Sequence, residues 1–355
     1  MSTNTNIKEI IYIKTTKNFI SILFLILLLF LIFVLSVLLG PSKISPLEII
    51  RIITVDIFAN KSEFILSSAA YTIIINLRIP RSLLAIITGI VLSSSGSTYQ
   101  AIFKNPLADP YLLGVGTGAG LGAVIGLTIY PSNLPFANFG AALFSFGGGL
   151  LAVFLTYNLS NYSKNLNHLS LILAGVAITS IMGAFTTLIL ITQSPEIKPI
   201  LSWLLGGFSL ASWENFNIVF LSGIPCVILL FSQHNKINIL NLDSKQIYSL
   251  GINEKKTITT LIIASTLSSS IAVSQTGIIG FVGLVAPHIS RMAWGTNPKY
   301  LIPQASLVGA IILLSSDILA KTILSPTEIP VGLITAFLGF PFFVQLLRKE
   351  GQHHG

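Results

Sequence analysis

Apolar stretches of about 20 residues, separated by short polar turns, recur along almost the whole of this 355-residue chain. A backbone surrounded by hydrocarbon has no water to bond, so it must satisfy its own N–H and C=O groups, and runs of this length are predicted to be helices. They fall near 19–39, 83–103, 112–130, 139–157, 169–192, 216–232, 258–274, 277–293, 305–323 and 330–347. The expected fold is therefore all-α, a membrane bundle of about ten spans. It forms one transmembrane domain over 19–347, with tails at 1–18 and 348–355. A shorter apolar stretch, Phe64 to Ile75, lacks the length to cross and is expected to pack at the surface.

Charge supports this reading and orients it. Only 9% of residues are charged while 52% are hydrophobic, too little charge to cover a water-soluble globule of this size. With both termini inside, the inner segments carry twelve basic residues, among them Lys104, Lys164, Lys236, Lys255, Lys256 and Arg348. The outer ones carry six, five of them in the long loop 40–82, which counts less than a short loop. Both ends are thus expected in the cytoplasm, with the chain in the cytoplasmic membrane. The net charge of +8 is spread between spans, which argues against a nucleic-acid surface.

Several function classes lose support. The sequence contains no Gly-x-x-x-x-Gly-Lys-Ser/Thr string, so any ATP hydrolysis belongs to another chain. Cys226 is the single cysteine, which removes disulfides and cysteine metal sites. Histidines and carboxylates are dispersed, and neither a catalytic triad nor a metal cluster is legible. No enzyme activity and no cofactor are expected. Gly114, Gly118, Gly122 and Gly126 mark one helix face, read as a helix-packing surface in preference to a pore lining. Asp317 and Lys321, four residues apart, can pair across one turn. A proton-coupled carrier would use such an intramembrane acid as its relay, and a structural ion pair is the other reading. Arg78 and Arg81 flank Pro80, which is expected to bend the chain at Ile79. Those arginines suit either carboxylate recognition or a headgroup anchor.

Five strings sharpen the picture: Leu77-Arg78-Ile79-Pro80-Arg81; Asn105-Pro106-Leu107-Ala108-Asp109-Pro110 followed by Leu112-Leu113-Gly114-Val115; Trp203-Leu204-Leu205-Gly206-Gly207-Phe208; Gly280 through His288; and Glu328-Ile329-Pro330-Val331-Gly332. In this order, over Leu77–Leu347, the chain resembles the FecCD-type ABC permease family, which imports iron-siderophores, haem and cobalamin. The resemblance implies ten helices per subunit, a permease dimer (a homodimer here, or a heterodimer), two ATP-binding cassette subunits on the cytoplasmic side and an extracytoplasmic substrate-binding protein. It implies that Arg78, Arg81 and Lys321 dock that binding protein, Lys321 standing where arginine is common. Asn105, Pro106 and Leu107 match the cytoplasmic gate. The loop 233–257 falls where the family keeps its ATPase-coupling segment. There Leu242, Asp243, Gln246, Ile247, Leu250 and Gly251 read as a short amphipathic helix with Asp243 or Ser244 as cap and Gly251 as terminator. By family breadth the expected cargo is an iron(III) chelate, then haem, then cobalamin. His288 is read as structural.

Overall fold

The structure, a computed structural model, describes residues 2–42, 44–58, 69–129, 137–161, 168–193 and 197–341. The tail 348–355, the end of the last predicted span and residues 64–68 of the short apolar stretch lie outside these. Among the described residues every regular element is helical: α1 (Ser2–Leu38), α2 (Pro46–Phe58), α3 (Ala69–Ile102), α4 (Val115–Ile129), α5 (Ala137–Asn161), α6 (His168–Gln193), α7 (Ile197–Leu204), α8 (Trp213–Ser232), α9 (His234–Ile239), α10 (Ser244–Ser249), α11 (Glu254–Thr276), α12 (Val282–Trp294), α13 (Pro298–Thr322) and α14 (Val331–Pro341). The predicted tail 1–18 is helical from Ser2 and runs directly into the first span.

Seven of these helices are long and apolar enough to cross a membrane. Three further predicted spans coincide with shorter helices, α4, α12 and α14. The span predicted at 277–293 begins as non-helical chain through Phe281 and becomes helical only at Val282.

One expectation is corrected at the start of α3. Ile79 is helical (φ −65, ψ −54), and Pro80 sits in the first turn of the α-helical part, where its missing N–H costs least. The irregularity takes the form of a π-helical stretch, Thr72–Arg78, with the Ile79 N–H bonded to Ile74 O. As a result the residues from Ala69 to Ile75 are not a separate surface segment but the beginning of a 34-residue helix.

Helix α3 is the axis of the bundle, packed on α8, α11, α12 and α13. Small residues allow these contacts. A Cβ on Gly96 would collide with Gly283 O, and one on Gly89 with Gly309 O. Lipid gives helices no hydrophobic reason to associate, so such backbone approach supplies dispersion instead. Interhelical hydroxyl bonds join it: Ser95 and Ser268 at 2.6 Å, Tyr99 and Thr266 at 2.8 Å. Three of the four glycines of the predicted stripe pack as expected, with Gly118 against Gly148, Gly122 against Phe144 O and Gly126 against Ala141, seating α4 on α5, whereas Gly114 lies before α4 at φ 84.

The buried residues form layers. One cluster gathers the C-terminal end of α3 (Tyr99, Ile102, Phe103), the ends of α5 and α8, the segment 237–247 and the starts of α11 and α13. A second gathers Leu84–Leu92, Phe208, Leu313, Leu314, Ala320 and Val331 at the other end of α3.

Candidate functional sites at the two ends of α3

Arg81 and Ile102 are separated along α3 by about 30 Å, the thickness of a bilayer core. The sequence-predicted residues divide between these ends.

At the first end lies an ion cluster. Arg81 donates from Nε to Asp317 Oδ1 at 3.0 Å and from Nη2 to the same oxygen at 2.8 Å, while Nη1 donates to Glu328 Oε1 at 2.8 Å. Its fork thus holds two carboxylates, a geometry lysine could not reproduce. Asp317 is fully buried, and Glu328 keeps 27% of its side chain exposed. The predicted pairing of Asp317 with Lys321 is looser, at 3.7 Å, because Lys321 Nζ turns to Ser36 O at 2.8 Å. Lys321 is buried and does not reach outward past the helix end. Arg78 also turns inward. Its Nη1 donates to Val37 O (2.8 Å) and Leu38 O (3.1 Å), and its Nη2 to Ser42 O (2.6 Å). A guanidinium there satisfies the orphan carbonyls that end α1. The structure therefore unites Arg78, Arg81 and Lys321 in one cluster, but with their donors committed to this chain.

At the second end the chain reverses between α3 and α4. The helix closes with the Lys104 N–H bonded to Ala101 O and the Asn105 N–H to Gln100 O, the six-to-one and five-to-two pattern of a Schellman cap. Lys104 occupies the left-handed position, φ 49, usually left to glycine because an L side chain there costs about 1–2 kcal/mol. Asn105 Oδ1 accepts the Leu107 N–H at 2.8 Å, and the Asn105 carbonyl accepts from Ala108. Asn105, Pro106 and Leu107 thus form a rigid, half-buried turn. Asp109 caps the following 3-10 turn by accepting from the Tyr111 N–H, and the Tyr111 hydroxyl donates to Ile279 O at 3.0 Å. Burial pushes the Asp109 carboxyl up to about 6, against the lowering effect of the Tyr111 hydrogen bond. Burial raises the Tyr111 phenol further, and the nearby Asp109 adds to it.

The predicted amphipathic segment meets this turn. Asp243 caps α10 in a reciprocal box with Gln246, and Gly251 ends it at φ 73. The predicted apolar face is split. Ile247 is fully buried in the same cluster as Phe103 and Ala108, whereas Leu242, Tyr248 and Leu250 stand 38%, 84% and 56% exposed. Among the described side chains of this six-residue helix, Ile247 alone points inward.

Sequence reasoning missed three connections. Lys104 Nζ donates to Leu242 O at 3.0 Å, joining the turn to the segment before α10. Gln100 donates to Leu284 O at 3.2 Å and accepts from Arg291 at 2.8 Å. Glu328 closes over Arg81. The two residues stand in two of the five strings, which was the available signal for their contact. The strings containing Trp203 and Gly332 also meet, Gly332 abutting Leu205 O, and Gly206 abuts Ile278 O just before the string that begins at Gly280.

The FecCD transport family matches residues 27–349. A Bacillus subtilis protein described as an uncharacterised ABC transporter permease, YvrB, is 38% identical over 80% of this chain and 80% of its own. The hemin transport system permease protein HmuU of Yersinia pestis is 37% identical over 81% of this chain and 87% of its own. A solved inward-facing structure described as a metal-chelate type ABC transporter is 30% identical, with TM-score 0.80 over 92% of this chain and 98% of that one.

Proposed function

The chain belongs to the FecCD transport family, and from that premise we propose that it is the membrane permease subunit of an ABC importer for an iron chelate, with haem and then cobalamin as the next cargoes. Relatives named for hemin transport, iron uptake and vitamin B12 import support the class and leave that order to the family's breadth. The family is one of transport permeases, so the chain supplies a path and not a reaction.

The seven long helices and the shorter α4, α12 and α14 make ten crossings, with both termini in the cytoplasm. Helix α12 is preceded by the non-helical, buried to half-buried residues 277–281, the setting in which irregular backbone is tolerated at membrane depth. A second copy forms the other wall of the path, two ATP-binding subunits dock on the cytoplasmic face, and an extracytoplasmic substrate-binding protein docks at the cluster of Arg78, Arg81 and Lys321. Asn105–Leu107 is the cytoplasmic gate. The observation that carries this reading is the segment Leu242–Gly251, which buries Ile247 in one apolar cluster with Phe103 and Ala108, the residues that flank the gate, while exposing Tyr248 and Leu250. One end of that lever is built into the gate, and the other is free for an ATP-binding subunit.

A proton-coupled carrier is disfavoured at its only candidate relay, since Asp317 is enclosed by Arg81 and Lys321. The direct test replaces Tyr248 and Leu250 together with aspartate. The expected outcome is loss of co-purifying ATP-binding subunit with the permease still inserted and folded. Undiminished co-purification would place the ATPase contact elsewhere.

A further inference from the structure

We propose that Lys104 is a positioning residue for transport, tying the gate turn to the coupling segment so that the segment can pull the turn as well as push it. The inference rests on the reading of residues 242–251 as the ATPase contact. Two observations lead to it. Lys104 occupies a left-handed backbone position at φ 49, where glycine would be free of strain. The backbone therefore gives no reason for a lysine, and the side chain does: Nζ donates to Leu242 O at 3.0 Å, one residue before the Asp243 cap. The bond is solvent-exposed, so it fixes a direction more than it adds stability.

The division of labour follows from the kinds of contact present. Ile247 lies in one apolar cluster with Phe103 and Ala108, and such packing resists compression steeply but opposes withdrawal without fixing a direction. Lys104 adds to it a bond that resists separation along one direction. On the far side, Gln100 is held to α12 through Leu284 O and Arg291. Asn105 Oδ1 locks the turn through the Leu107 N–H. Displacement of the segment therefore bends the chain at Lys104, between a fixed helix and a rigid turn.

The test compares Lys104→Gly and Lys104→Arg in the complete complex with its own ATP-binding subunits and binding protein, in nanodiscs. Spin labels at Leu107 and at the exposed Lys245, with Cys226 replaced by serine, report whether gate and segment move together. Glycine suits the backbone, so K104G is expected to melt no lower than wild type. In wild type the label separation is expected to be the same with and without ATP. In K104G it should shift on ATP addition, and stimulation of ATP hydrolysis by the binding protein should fall about tenfold. Arginine should restore both. A K104G complex with wild-type separations and stimulation overturns the tether, as does a loss accompanied by a lower melting temperature, which would mark a merely structural residue. If wild-type complex binds no ATP-hydrolysing subunit, the functional reading itself falls, and the tether with it.

Discussion

Asp317 illustrates how a buried charge is made tolerable. An unpaired carboxylate in this setting would cost several kcal/mol, and three donors from Arg81 and Lys321 converge on it. Spacing within one helix pointed to Lys321, yet the better partner lies 236 residues away in sequence, which no local periodicity reports. Asp109, in the turn between α3 and α4, is the opposite case: a carboxylate with a single backbone donor. Its folded value of about 6 lies above the ordinary 3.8. The folded chain therefore keeps a proton that the unfolded chain has released, and stability from this group, full below the ordinary value, is lost as pH rises through about 6. Asp109→Asn keeps an acceptor for the Tyr111 N–H and removes the charge. Its melting temperature in detergent should exceed wild type at about pH 8 and converge with it at about pH 3, below the ordinary value. A gap of constant size across that range would show that the carboxyl is not perturbed as described.

At the scale of elements, the α4–α5 contact carries the sharpest expectation. A side chain at Gly122 must displace Phe144 backbone, which cannot move aside like a flexible side chain, whereas a Cβ at Gly147 meets nothing within 4 Å. Gly122→Leu should therefore destabilise by about 1–3 kcal/mol or more, seen as a lower melting temperature, and Gly147→Ala should be nearly silent. Equal effects would remove the packing role of the stripe. That stripe was legible because glycines four apart share one face. Helix α10 was legible for a similar reason: Asp243, Gln246 and Gly251 are local signals of a start and a stop. The exposure of Leu242 and Leu250 was not, because which side of a short helix finds the core depends on distant Phe103 and Ala108. The π-helical stretch was equally hidden. Pro80 announces an irregularity, but the register shift that absorbs it lies before the proline, at Thr72–Arg78.

For the whole molecule, length and apolarity sufficed to read an all-helical membrane bundle, since hydrocarbon leaves the backbone few alternatives. What they left open is how one axis, α3, links an ion cluster at one end to a jointed turn at the other. Sequence order says nothing of which loops meet across a bilayer. In the resulting account the chain is a passive path, and work enters through the surface around Tyr248. The measurement that bears on this most directly is uptake of radio-iron ferric hydroxamate and haemin into vesicles containing the purified chain, with and without its ATP-binding and substrate-binding partners. The account predicts accumulation against a gradient only when both partners and ATP are present. Concentrative uptake by the chain alone would contradict it.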